Sequence, residues 1–141
     1  MKILIAEDDF ASRKFLCKLL SKYGECDTTV DGIAAVEEFV KAYDMSRPYD
    51  LICLDIMMPK IDGLKALKTI RDFEKKKGIE ESEKCKIIIT SALCETEIVF
   101  ESFSPGSEAY VKKPINVESL IEQIESFGLI ELPHHIQTDL E

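Results

Sequence analysis

Apolar positions along the chain alternate between two patterns, short unbroken runs and faces at helical spacing. Ile3-Leu4-Ile5-Ala6, Leu51-Ile52-Cys53-Leu54 and Ile87-Ile88-Ile89 are compact runs bounded by turn signals. Such runs suit strands buried on both faces, the habit of parallel sheets. Cys26–Val30 and Ala109-Tyr110-Val111 are more polar or shorter, which suits edge strands. Between them lie helical faces. Phe15, Leu16, Leu19, Leu20 and Tyr23 share one side of a helix that Gly24 is placed to terminate. Ile33, Val36, Phe39, Val40 and Tyr43 follow Asp31-Gly32, and Leu64, Leu67 and Ile70 follow Asp62-Gly63. A less regular segment carries Ile98, Val99, Phe100 and Phe103, closed by Pro105-Gly106. Asn116 is positioned to cap a last helix bearing Val117, Leu120, Ile121, Ile124 and Phe127.

Five strands alternating with five helices predict an α/β fold, a flavodoxin-like doubly wound parallel sheet. The apolar strands belong in the middle and the polar ones at the edges. With right-handed crossovers this gives the order 2-1-3-4-5, with a switch point between the first and third strands. Residues 1–127 form the expected domain and 128–141 a loosely held tail. Residues 74–86, EKKKGIEESEKCK, break the pattern and read as a helix end plus a solvated loop without a specific role.

Composition narrows the setting. The chain has 141 residues, 18 Lys+Arg against 27 Asp+Glu and a net charge of -9, which disfavours direct binding to nucleic acid or an anionic membrane. Five cysteines, an odd count without a CxxC pair, read as reduced core residues of a cytosolic protein. No apolar run nears the ~20 residues that span a bilayer, and MKILIAEDD turns acidic too early for a signal peptide. The expectation is a small, soluble, cytoplasmic protein. His134 and His135 are neighbours near the chain end and form no metal site by themselves.

The strand ends carry the chemistry. In the 2-1-3-4-5 arrangement Glu7 and Asp8, Asp55, Ser91 and Lys113 converge on the carboxyl edge, where open α/β sheets bind ligands. Three crowded carboxylates call for protons or a cation, and hard oxygen ligands suit Mg2+ or Mn2+. Taken singly, each acid is better read as ordinary, Asp8 or Asp9 capping the first helix and Asp55 solvated in its loop; three on adjacent strand ends, with a hydroxyl and a lysine, are not. Carboxylates, a divalent cation, a hydroxyl and an ammonium are together the parts that hold a phosphoryl group. A carboxylate also accepts one as an aspartyl-phosphate, and Asp55, alone on its loop, is the natural acceptor.

The segments ILIAEDD followed by Arg13, YDLICLDIMMPKIDG, IIITSA and GSEAYVKKP, in this order, resemble the response-regulator receiver domains of two-component signalling. The resemblance covers about residues 1–127 and is to the stand-alone, chemotaxis-regulator-like kind. It implies Asp55 as phosphoacceptor and Glu7 and Asp8 as the acidic pair. It further implies a metal held by Asp8, Asp55 and the Met57 carbonyl, with Glu7 acting through water. Ser91, followed by Ala, matches the family's switch hydroxyl better than Thr90. Lys113, directly before Pro114, matches the phosphate-binding lysine, with a cis peptide bond between the two. Tyr110 takes the aromatic switch position. A histidine kinase or His-containing phosphotransfer protein is the implied donor. The implied output surface is the face of the fourth helix, fifth strand and fifth helix, read by a downstream protein. Such a protein is no enzyme beyond its own phosphorylation and dephosphorylation.

Departures from the family pattern are the longer 74–86 connection and apolar Met57 and Leu93 beside the acceptor and switch positions. Other readings are weaker. A phosphate-independent scaffold would be expected to lack an acid or the lysine. An aspartyl-phosphate hydrolase wants a second acid where Met57 stands, and a flavodoxin wants a Ser/Thr/Gly loop where Glu7-Asp8-Asp9 stands.

Overall fold

The computed structural model describes residues 1–58, 60, 62–91 and 109–130. Five parallel strands form one sheet, β1 (Lys2–Ala6), β2 (Glu25–Thr29), β3 (Leu51–Asp55), β4 (Lys86–Ser91) and β5 (Ala109–Lys112). Their order is β2-β1-β3-β4-β5, the flavodoxin-like arrangement expected from the polarity of the strands. The helices are α1 (Phe10–Leu20), α2 (Gly32–Asp44), α3 (Gly63–Lys76) and α4 (Val117–Ser126), with a short 3-10 turn at Glu81–Glu83. The helix expected around Ile98–Phe103 lies outside the described residues, so four of the five expected helices are seen.

Each helix begins where a polar side chain replaces a missing backbone partner. Asp9, Asp31, Asp62 and Asn116 accept the amide N–H groups of Ser12, Ala34, Lys65 and Ser119. Helix α1 ends before Gly24. Its last turn is closed by the Ser21 N–H donating to the Cys17 carbonyl. Gly24 serves another purpose, since a Cβ there would lie 2.4 Å from the Met1 carbonyl oxygen.

The sheet separates two apolar layers. Leu4, Leu54, Ile87 and Ile89 face α2 and α3, against Ala35, Phe39, Leu67 and Ile70. Ile3, Ile5, Cys53 and Ile88 face α1 and α4, against Leu16, Leu20, Leu120 and Ile124. Strand β3 is buried along its whole length, as an uninterrupted apolar run requires. Three helical faces differ from expectation: Phe15, Ile33 and Val117 are exposed, while Ala35 and Ala42 take buried positions on α2. The small alanines let α2 lie close to the sheet. Phe127, Leu129 and Ile130 pack onto the α1–α4 layer, carrying ordered contacts just past residue 127.

The 74–86 segment is also more structured than its charge suggests. Helix α3 continues to Lys76, and Glu74 is buried, accepting from Arg71 Nη1 at 2.6 Å and from the Cys85 N–H at 3.0 Å. A carboxylate fixed by two donors fastens the connection to β4 onto the helix, which is why this segment is not merely solvated.

Candidate functional site

Register delivers the chemistry to one edge. Ala6 pairs with Leu54, Asp55 with Thr90, and Ser91 with Lys112, so β1, β3, β4 and β5 finish side by side. The residues following Ala6 turn sharply. Asp9 caps α1, and its N–H donates to Glu7 Oε2 at 3.1 Å. Arg13 reaches back from the helix, Nη1 donating to the carbonyls of Glu7 at 3.0 Å and Asp8 at 3.2 Å. This leaves Asp8 exposed beside buried Glu7 and Asp55. The capping alternative is thus confined to Asp9.

Carboxylate oxygens of Glu7, Asp8 and Asp55 all lie within 4.8 Å of one another. Lys113 enters from the end of β5, its Nζ donating to Glu7 Oε1 and, at 3.2 Å, to Asp55 Oδ2. The other Asp55 oxygen accepts the Met57 N–H at 3.1 Å. Met57 itself follows β3 with its side chain exposed. The Lys113 N–H donates to the Ser91 carbonyl at 2.7 Å, and the Lys113-Pro114 peptide bond is cis. Ser91 is fully buried at the end of β4. Tyr110, half-buried on β5, donates its hydroxyl to the Ser91 carbonyl at 3.4 Å. Glu7, Asp8, Asp55 and Lys113 thus meet on one edge, Ser91 ends the neighbouring strand, and Tyr110 reaches the Ser91 carbonyl from within β5. Leu93 and the expected fourth helix fall outside the described residues.

Electrostatics follows from this crowding. Burial and the hydrogen bond with Asp55 raise the Glu7 carboxyl above the usual carboxylate range, and Lys113 opposes the shift without reversing it. Burial works against the charge on Lys113, but the Glu7 and Asp55 carboxylates more than compensate and hold it protonated. Three acids sharing one ammonium retain excess negative charge. Oxygen donors so close together fit a small hard divalent cation. By contrast, burial pushes the Cys53 thiol up to about 12, which suits an inert core residue. Cys17, Cys26, Cys53 and Cys85 are all free thiols.

Two contributors are hard to see in the sequence. Arg13, marked in the sequence by its place after ILIAEDD but not by any stated role, fixes the acidic turn through the carbonyls of Glu7 and Asp8. Gly63 is the other. It opens α3 directly against the backbone of Asp55, donating its N–H to the Ile56 carbonyl at 3.0 Å.

Comparison with known proteins agrees with this geometry. A family model described as the response regulator receiver domain matches residues 3–125. The chain belongs to the receiver-domain family. The receiver is 35% identical to the chemotaxis protein CheY of Treponema pallidum over 127 residues, covering 89% of this chain and 81% of that protein. It is 31% identical over 128 residues to the hybrid signal transduction histidine kinase L of Dictyostelium discoideum, covering 90% of this chain but only 7% of that kinase. Among solved structures, the CheX-CheY-BeF3-Mg complex from Borrelia burgdorferi matches with a TM-score of 0.75 at 26% identity, covering 93% of this chain and 90% of that one. The Saccharomyces cerevisiae complex of the phosphotransfer protein Ypd1 with the receiver domain of Ssk1 gives 0.75 at 26% identity, covering 91% and 88%. No described helix of this receiver is long and apolar enough to cross a membrane.

Proposed function

We propose that this receiver accepts a phosphoryl group on Asp55 from a phosphohistidine and thereby changes its affinity for a partner protein. The donor is a histidine kinase or a His-containing phosphotransfer protein. The observation that carries the reading is Lys113 Nζ held between Glu7 and Asp55, with Asp8 alongside. A scaffold indifferent to phosphate has no use for this expensive concentration of charge.

In the transfer, an Asp55 carboxylate oxygen bonds to phosphorus as the P–N bond of the donor breaks. The electron pair stays on the imidazole nitrogen. The donor sites of Glu7, Asp8, Asp55 and the Met57 carbonyl would hold Mg2+ or Mn2+, which supplies charge neutralisation for the phosphoryl oxygens. Lys113, already protonated and within reach, neutralises a further oxygen. The Ser91 hydroxyl is the neutral donor that completes the cradle.

Switching follows from the contacts of Ser91. Drawing its side chain toward the new phosphoryl group disturbs the Tyr110 hydroxyl that rests on its carbonyl. Tyr110 then moves inward, and the surface formed by the helix expected before β5, β5 itself and α4 repacks for a downstream protein. The phosphoryl group thus biases an existing two-state equilibrium rather than creating a new fold. The protein catalyses nothing beyond its own phosphorylation and dephosphorylation. Its receiver domain spans residues 1–127, its setting is the cytoplasm, and it contacts protein rather than nucleic acid or membrane.

Labelling with acetyl phosphate and Mg2+ tests the acceptor. The parent protein takes up one phosphoryl group and Asp55→Asn takes up none. Label persisting on that variant moves the acceptor elsewhere. A pull-down comparing beryllofluoride-treated and untreated protein tests the switch, and identical binding in both states removes it.

A further inference from the structure

Two thiols outside the acid cluster converge where α1 packs on the edge strand β2. Cys17 lies on α1 and Cys26 on β2, and both rest on the apolar layer that holds Leu16 and Leu20. One hydroxyl touches both sulfurs. Cys17 Sγ lies 3.9 Å from Ser21 Oγ, and the same Ser21 hydroxyl is a hydrogen-bond partner of the Cys26 thiol. The Cys26 thiol also donates to the Gly24 carbonyl at 3.8 Å, in the turn that carries the chain from α1 into β2. Both residues are half-buried, whereas Cys53 and Cys85 are buried. Cys17 further lines an open groove of about 420 Å3 together with Phe10, Arg13, Lys14, Lys18 and Ser21.

An accessible thiol backed by a second thiol is the arrangement in which a sulfenic acid is captured before it oxidises further. The groove brings a small oxidant to Cys17 first, and its cationic rim gives the partly open, electropositive setting of reactive thiols. Burial raises the Cys26 thiol above its ordinary value, which leaves it protonated and second to react. Ser21 is exposed, so its hydroxyl can turn out to solvent and let the sulfurs close on each other. We propose that Cys17 is a peroxide-reactive thiol and Cys26 its resolving partner, the two forming a reversible disulfide that ties α1 to β2. In the first step the Cys17 sulfur attacks an oxygen of hydrogen peroxide, the O–O bond breaks, and the other oxygen leaves as water with the thiol proton. In the second the Cys26 sulfur attacks the Cys17 sulfur, the S–O bond breaks, and that oxygen leaves as water with the Cys26 proton. The two thiols lose two electrons and the peroxide gains them. In a reducing compartment such a link is transient.

The inference does not rest on the phosphorylation reading, and its test needs no phosphoryl donor. The reduced full chain is treated with a small excess of hydrogen peroxide, blocked with iodoacetamide and digested with trypsin, which cuts after Lys18 and Lys22 between the two cysteines. The expected product is a pair of peptides joined through Cys17 and Cys26, while Cys53 and Cys85 remain alkylatable once the chain is unfolded. Dithiothreitol releases the pair. The link closes a short loop, so the oxidised chain melts several degrees above the reduced one. Cys26→Ser, treated with peroxide and dimedone, accumulates the dimedone adduct on Cys17, and Cys17→Ser leaves Cys26 as a thiol. Both variants keep the parent's circular dichroism and lose the gain in melting temperature. Dimedone on Cys26 alone, Cys17 joined to another thiol or another chain, or both thiols still alkylatable after peroxide each overturns the proposal.

Discussion

A Cβ on Gly63 would lie 2.1 Å from the carbonyl oxygen of Asp55, closer than any non-bonded pair allows. The first turn of α3 is thus laid directly on the backbone of the proposed acceptor. Gly63→Ala forces α3 and the end of β3 apart. Overpacking of this kind costs about 1–3 kcal/mol. The variant should unfold at lower urea and accept phosphate from acetyl phosphate more slowly, because the Asp55 carboxylate no longer lines up with Lys113. A variant with parental stability and labelling rate would show that the turn relaxes freely.

Met57 stands exposed two residues beyond Asp55, with no group able to orient an attacking water. Phospho-Asp55 should therefore persist, and Met57→Asn should shorten its lifetime by about tenfold, equivalent to ~1.4 kcal/mol in barrier. Decay of the radiolabelled protein, freed of donor and kept in Mg2+, measures this. An unchanged or longer lifetime in the variant counts against the argument.

The acid cluster makes a further expectation for metal removal. At Mg2+ tenfold above its dissociation constant, binding to the folded state alone adds about 1.4 kcal/mol, or roughly 4–6 °C in the melting temperature. Chelation should return the melt to its starting point. Asp8→Asn, which deletes one ligand without opening the core, should lose most of the response.

Acid should act through the helix caps. The Ala34 N–H, with a smaller contribution from Lys60, holds the Asp31 carboxyl below its usual range. A depressed folded value means the contribution is present above about pH 4, the unfolded range, and is lost as pH falls through the lower folded value. Asp31→Asn keeps the capping oxygen but cannot titrate. Its helical circular dichroism and melting temperature should therefore change less than the parent's between pH 4 and pH 2, and parallel curves would dismiss the cap as the cause.

Glu74 gives a structural prediction. Truncation to Ala leaves the buried Cys85 N–H without its acceptor, a loss of about 1–3 kcal/mol. Urea denaturation should show it, and Glu74→Gln, which retains an acceptor, should recover part of the loss.

The strands and their order were legible because each apolar run is short and ends on a charged or hydroxyl residue, as with Leu54-Asp55 and Ala6-Glu7. The same punctuation marked the site. Periodicity failed where the neighbouring element decides which side is buried. Phe15 and Ile33 satisfy a helical face but point to solvent, because α1 and α2 present Leu16, Leu20, Ala35 and Ala42 to the sheet. Glu74 was hidden for the opposite reason. It lies in a run of charges, and only the return of Cys85 to its side gives it a buried partner. Gly63 and Gly24 look alike in sequence, yet both are dictated by close backbone approaches that no local pattern encodes.

The ion pair between Glu7 and Lys113 joins residues 106 positions apart. During synthesis the acids emerge early, but their ammonium appears only once β5 has been made. A chain cut before β5 would carry the proposed acceptor, Asp55, without its counter-ion. On the proposed reading, competence to receive a signal would be withheld until β5 has docked, so readiness to be phosphorylated would double as a certificate that the sheet is complete.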